Sequence, residues 1–235
     1  MSLRTVTILA SAALGAAALS GLLLAGCGAG DPEGATSSGS SMTTSRQAAA
    51  VNQPACYPEC ANAYLQGANL YGADLSGGDF TRANLFQANI GSANLGGATL
   101  VGANLGNTRA REASLGGANM EGANLAAANL SFATLSASNL TGAKLARVNL
   151  TNAKATRANL TGADLNHSNL HETALNLATL AGANLTGANL TFANLARANL
   201  TGANFTGGNI RTANLTGATW GDTTCPDGSM TSTGC

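Results

Sequence analysis

Cysteine is the residue type through which this chain could do covalent chemistry, and it occurs five times. Cys27 stands directly after Leu24, Ala25 and Gly26, at the end of an uncharged apolar run from Val6 to Ala25. Its thiol is a nucleophile, and the small residues at 25 and 26 suit a narrow peptidase site. Cys56 and Cys60 precede a long middle segment, and Cys225 and Cys235 follow it. Four thiols allow three disulfide connectivities or a tetrahedral zinc site. His167, His171 and Glu172 are the remaining grouping of metal-ligand types, and no third ligand of matching direction is evident. No Ser-His-Asp order suggests itself. No Gly-rich loop follows a strand and opens a helix, as a phosphate site requires. The sequence therefore assigns no catalytic residue, no metal site and no cofactor, and it predicts a protein that is not an enzyme.

Composition narrows the class further. Of 235 residues, 30 are glycine and 9% are charged, against roughly a quarter in an ordinary soluble domain. Eleven basic residues balance eleven acidic ones, so the large net charge that marks many disordered chains is missing. A nucleic-acid partner is not expected either, because such domains carry a basic excess. Arg109, Arg111, Lys144, Arg147, Lys154 and Arg157 gather in the middle third. They read as a dispersed, solvated surface, with anionic envelope polymer or lipid head groups as the alternative contact.

The segments that must position these residues begin with an address. Arg4 and the amino terminus form a short positive region ahead of the apolar run, the pattern of an export signal. Leu24-Ala25-Gly26-Cys27 resembles the lipobox of bacterial lipoproteins. That resemblance implies a signal peptide over 1–26 and a diacylglycerol on the Cys27 thiol, with membrane lipid as its partner. A plain signal peptide or an uncleaved anchor is the alternative, since the run is long enough to span a bilayer. Residues 27–55 then read as the lipidated cysteine and a Gly-, Ser-, Thr- and Ala-rich tether. Such a stretch buries too little surface to offset its ordering entropy.

From Asn62 to Trp220 the chain repeats every five residues. Residues divisible by five, from Leu65 through Leu70, Leu75 and Phe80 to Leu215 and Trp220, are large and apolar except Ala110 and Ala155. Two places earlier stands a small residue, usually Ala. Asn or Asp most often lies between, as in Ala183-Asn184-Leu185-Thr186-Gly187. On an α-helix five steps advance about 140° net, so the leucines would wind around every face. On a flat strand an odd spacing sends them to alternate faces. Both conflicts vanish if the chain turns by about a right angle every five residues. Four repeats then close one square coil with Leu and Ala inward, and glycine eases the turns. Eight coils at about 4.8 Å each make a rod about 38 Å tall.

These residues resemble the pentapeptide-repeat family. The resemblance implies an all-β, right-handed quadrilateral parallel β-helix of about eight coils over 62–222, with a Cys-containing cap at 56–61 and a Cys-bounded tail loop at 223–235. Residues twenty apart should then stack. Asn69, Asn89, Asn129, Asn149, Asn169, Asn189 and Asn209 should form an amide ladder, interrupted by Arg109. Lys144 should face Asp164, and Trp220 should cover the end of the axis. Ala110 and Ala155 each remove about three methylenes from the core, a local weakening of about 2–3 kcal/mol if a void remains. The two cysteine pairs lie at opposite ends of the rod, and a disulfide needs Cα atoms within about 7 Å. The expected pairs are therefore Cys56–Cys60, which demands a tight bend, and Cys225–Cys235. The same distance disfavours zinc.

Together these readings predict a bacterial protein, lipid-anchored at the cell membrane and facing the periplasm or cell exterior. Its rod would act as a structural module or as an interaction module for an envelope protein or polymer. Some members of the family mimic DNA and bind gyrase, which needs an acidic wall. Here the repeats carry seven acids and nine bases, and export removes the chain from that target.

Overall fold

The computed structural model describes residues 52–235. The signal segment, Cys27 and nearly all of the tether fall outside the described residues. From Glu59 to Thr224 the chain winds as a right-handed, four-sided parallel β-helix. Each side contributes one bridging residue per coil, joined in parallel to the residue twenty positions on. Face I runs from Glu59 to Thr219, face II from Tyr64 to Thr224, face III from Asn69 to Asn209 and face IV from Asp74 to Asn214. The ladder thus takes one step from the expected cap and one from the expected tail.

The repeat satisfies its own backbone. In Ala183-Asn184-Leu185-Thr186-Gly187, the Ala183 N–H closes a turn on the Leu180 carbonyl at 3.0 Å. The Asn184 N–H donates down to Ala163, and the Leu185 and Gly187 N–H groups donate up to Asn204 and Thr206, at 2.7–2.9 Å. The fifth N–H, of Thr186, points at neither neighbour. The Asn184 Oδ1 accepts it at 3.2 Å and accepts the Thr186 hydroxyl at 2.6 Å. Asparagine is thus favoured because its carbonyl reaches the backbone two residues on, closing an account in which no buried N–H can be left over.

Each turn needs positive φ at its second central residue, the mark of a type II turn. Fourteen glycines stand at such corner positions, but so do nineteen other residues, from Asn62 to Asp222. Glycine is therefore less necessary than the sequence suggested. Each exception costs about 1–2 kcal/mol, which the stacked coils on both sides enforce.

The axis is lined mainly by apolar side chains. Leu75, Leu85, Ile90 and Leu95 are fully buried, as are Ala73, Ala83, Ala88 and Ala93. Volumes trade within a layer. Where Phe80 replaces leucine, Gly78 replaces alanine, and a Cβ there would stand 2.8 Å from the Phe80 ring. Ala110 and Ala155 are also buried, and Thr108, beside Ala110, turns its hydroxyl to the Leu105 carbonyl at 2.9 Å.

The two ends are closed differently. At the first coil, Asn52 Nδ2, Gln53 Nε2 and the Tyr57 hydroxyl donate to the carbonyls of Tyr71, Asp74 and Ser76. The Tyr57 ring packs against the axis beside Gly78. At the other end, strands β1 (Thr223–Thr224) and β2 (Met230–Thr231) pair antiparallel. Thr224 also extends face II, and Gly234 lies against the Trp220 indole. Trp220 packs on Phe205 with 6.5 Å between ring centroids. It covers part of the axis, and Ile210 and Leu215 of the last coil stay half-buried.

Candidate binding edge

The fold distributes the reactive residues instead of gathering them. Cys56 is bonded to Cys60 with Cα atoms 4.9 Å apart, and Cys225 to Cys235 at 5.5 Å. His167 lies at the corner between faces II and III, its ring against Gly187. His171 and Glu172 occupy the corner between faces III and IV, with Nε2 and Oε1 3.3 Å apart. Among the described residues no three metal-ligand side chains converge. Lys144, Arg147, Lys154 and Arg157 all fall in one coil but on its different sides, so they form a belt and not a patch.

Two expected neighbours meet differently. Lys144 bridges Asp164 through the backbone as the stacking rule requires. No ion pair forms between them among the described residues. The Asp164 Oδ1 instead accepts from Asn166 and Asn184 at 2.6 and 2.9 Å. The face III amide ladder is present at Asn69–Asn89, Asn129–Asn149 and Asn169–Asn189, at 3.1–3.4 Å. Between Asn149 and Asn169 the step detours, because Asn169 Nδ2 donates to the Thr151 hydroxyl at 3.0 Å.

The corner between faces III and IV differs from the other three. Coil by coil its two turn residues are Tyr71-Gly72, Gly91-Ser92, Arg111-Glu112, Ser131-Phe132, Thr151-Asn152, His171-Glu172, Thr191-Phe192 and Arg211-Thr212. Phe132 is 46% exposed and Phe192 60%. Arg111 reaches forward one coil and lays its guanidinium 4.4 Å from the Phe132 ring centroid, a cation–π contact. It also pairs with Glu112 at 3.1 Å. His171 repeats the arrangement. Its Nδ1 meets the Thr191 hydroxyl at 2.7 Å, and its ring stands edge-on to Phe192 with 5.6 Å between centroids. The sequence reading did not single out this edge. Its signal was a spacing of 21, from Arg111 to Phe132 and from His171 to Phe192, and not the column spacing of 20.

Three carboxylates away from this edge have pKa values lowered by local hydrogen bonds. The Ser76 hydroxyl and N–H lower the pKa of Asp74, and Thr81 and Ser229 do the same for Asp79 and Asp227. At Asp74 and Asp227 the N–H and hydroxyl of the serine two residues on both donate to one Oδ1, repeating the Asn–Thr geometry with a charged acceptor.

A family model described as pentapeptide repeats, in eight copies, matches residues 63–102, 88–126, 103–142, 143–182 and 178–217. HetL is a pentapeptide repeat protein involved in heterocyst differentiation regulation, from the cyanobacterium Nostoc sp. strain PCC 7120. Its crystal structure is similar with a TM-score of 0.73 and 33% identity, covering 74% of this chain and 78% of that one. QnrB1, a plasmid-mediated fluoroquinolone resistance protein, is 18% identical with a TM-score of 0.46, covering 69% of this chain and 86% of its own. Rfr23, a pentapeptide repeat protein from the cyanobacterium Cyanothece 51142, is 40% identical over 39% of this chain and 59% of its own, with a TM-score of 0.23. Among curated protein sequences none matches.

Proposed function

The chain belongs to the pentapeptide-repeat family, and on that premise we propose that it is a lipid-anchored extracytoplasmic protein whose rod presents a binding edge to a component of the bacterial envelope. The observation that carries the binding reading is the exposure of Phe132 and Phe192 along one corner, outside the buried core. A large exposed apolar side chain stabilises a fold little, and aromatic rings held outward on one edge, beside Arg111 and His171, offer contact area to a partner. The Leu24-Ala25-Gly26-Cys27 sequence supports the anchor through Cys27. The disulfides at both ends of the rod support an oxidising compartment, since such bonds rarely persist in a reducing cytosol. A DNA-mimic role at gyrase finds no support in the charge, because the repeats carry more bases than acids.

Metabolic acyl labelling of cells expressing the chain tests the anchor. Label is expected in the membrane fraction with the wild-type chain and not with Cys27→Ala. An unlabelled, cytosolic wild-type chain would overturn the anchored reading and return intracellular targets to consideration.

A further inference from the structure

We propose that the corner between faces III and IV is a platform for an uncharged polysaccharide chain lying along the rod axis, with Phe132 and Phe192 as its stacking sites. The inference rests on the reading of the rod as an envelope interaction module and names the class of its partner.

The first support is conformational. Phe132 and Phe192 hold φ of 61° and 59°, in the left-handed region that glycine occupies freely and bulky residues avoid. Glycine fills the same turn position at many other corners of this rod. A phenylalanine there carries backbone strain while leaving about half of its surface in water. Neither cost is repaid by the core.

The second support is repetition. Arg111, Glu112 and Phe132 form one unit, and His171, Glu172 and Phe192 form another, sixty residues on. Sixty residues are three coils, or about 14 Å along a straight axis. Tyr71, also exposed, stands on the same corner three coils before Phe132. The row is therefore three aromatic residues spaced over about 29 Å. A partner that itself repeats along a straight line can engage such a row at equivalent points.

The third support is chemical. The electron-rich face of an aromatic ring attracts polarised hydrogens, and pyranose rings offer C–H faces for this. Glu112, Glu172, Thr151 and Asn152 lie beside the rings and can hydrogen-bond sugar hydroxyls. Arg111 and Arg211 balance Glu112 and Glu172 along this corner, so the edge does not select for a charged polymer, as nucleic-acid binding would require. An added peptide strand needs free main-chain groups. Here the N–H groups of Glu112, Phe132, Asn152 and Glu172 all bond to the next coil.

The test is co-sedimentation of the detergent-solubilised full chain with chitin, cellulose and starch granules. Wild type is expected to be retained on at least one. Phe132→Gly with Phe192→Gly should weaken that retention at least tenfold while leaving the unfolding temperature unchanged or raised. Leu177→Gly relieves the same backbone conformation at the neighbouring corner and should leave retention unchanged. No retention of wild type on any of the three, or equal retention of the double variant, overturns the proposal. A photo-reactive side chain at position 131 in cells separates the two levels of inference. Protein adducts without glycan retention would sink the polysaccharide reading and leave the envelope-module reading standing. Absence of both adducts and retention would sink the two together.

Discussion

At the scale of single residues, hydrogen bonding decides what the repeat tolerates. Asn184 accepts the backbone of Thr186 and its hydroxyl, and donates to Asp164. The inward hydroxyls divide into two kinds. Ser138 donates to the Leu135 carbonyl at 2.7 Å and Thr173 to Leu150 at 2.8 Å. The Ser168 hydroxyl is buried with no partner, and an unsatisfied buried hydroxyl costs about 1–3 kcal/mol. Ser168→Ala should therefore stabilise the rod by about 1 kcal/mol, seen as a rise of about 2–4 °C in unfolding temperature. Ser138→Ala should lower it by a similar amount. Acid should act through Asp74, Asp79 and Asp227, whose pKa values are lowered by the Ser76, Thr81 and Ser229 side-chain hydrogen bonds. A carboxyl group with a depressed folded pKa adds stability above its unfolded pKa and loses it as pH falls through the folded value. Scans across pH should show these groups adding nothing to the slope from about pH 8 to pH 5, and losing their contribution below about pH 4. Replacing all three by Asn should flatten the acid limb.

At the scale of the coil, stability is a sum over neighbours. A solenoid layer touches only the layers beside it, so its strength is local. Ala110 and Ala155 give their layers less apolar side chain than the leucines around them. Hydrogen exchange should accordingly be faster at Ala110 and Ala155, and at the residues stacked on them, than at Leu95 or Leu185. Uniform protection along the rod would show that the coils have closed around the smaller side chains without loss. The coil was legible in the sequence because its period is its geometry. Leu85 and Ile90 must both face inward, and only a turn every five residues allows it. The diagonal contacts were not legible. Arg111 leans forward to Phe132, 21 residues on, and Asn169 leans back to Thr151, 18 residues away. The length and lean of each side chain select these partners, and a column rule of twenty passes over them.

At the scale of the whole molecule, the ends matter most, because an open coil exposes apolar surface and unpaired backbone. The first coil is closed by side chains of residues 52–57 and by the Tyr57 ring. The last is closed in part by the tail that Cys225–Cys235 ties into a loop. A disulfide across a loop of this size contributes about 3 kcal/mol. Replacing both cysteines by Ser should free the tail from Trp220 and raise exchange and Trp fluorescence quenching in the last coil. The coils around Leu115 should be unaffected. A loss of structure reaching those coils would show that the rod folds as one cooperative unit.

The sequence by itself determined the rod: its period, its inward residues, its four sides and the columns of residues twenty apart. It could do so because each repeat solves the same backbone problem with the same side chains. Only the tertiary structure decided which outward residues meet. It spread the basic residues of one coil around its sides, turned Asp164 to Asn184 instead of Lys144, and set Phe132 and Phe192 in two matching surroundings. Outward side chains carry no burial requirement that reads as a period, so their partners follow from corner direction and reach in space.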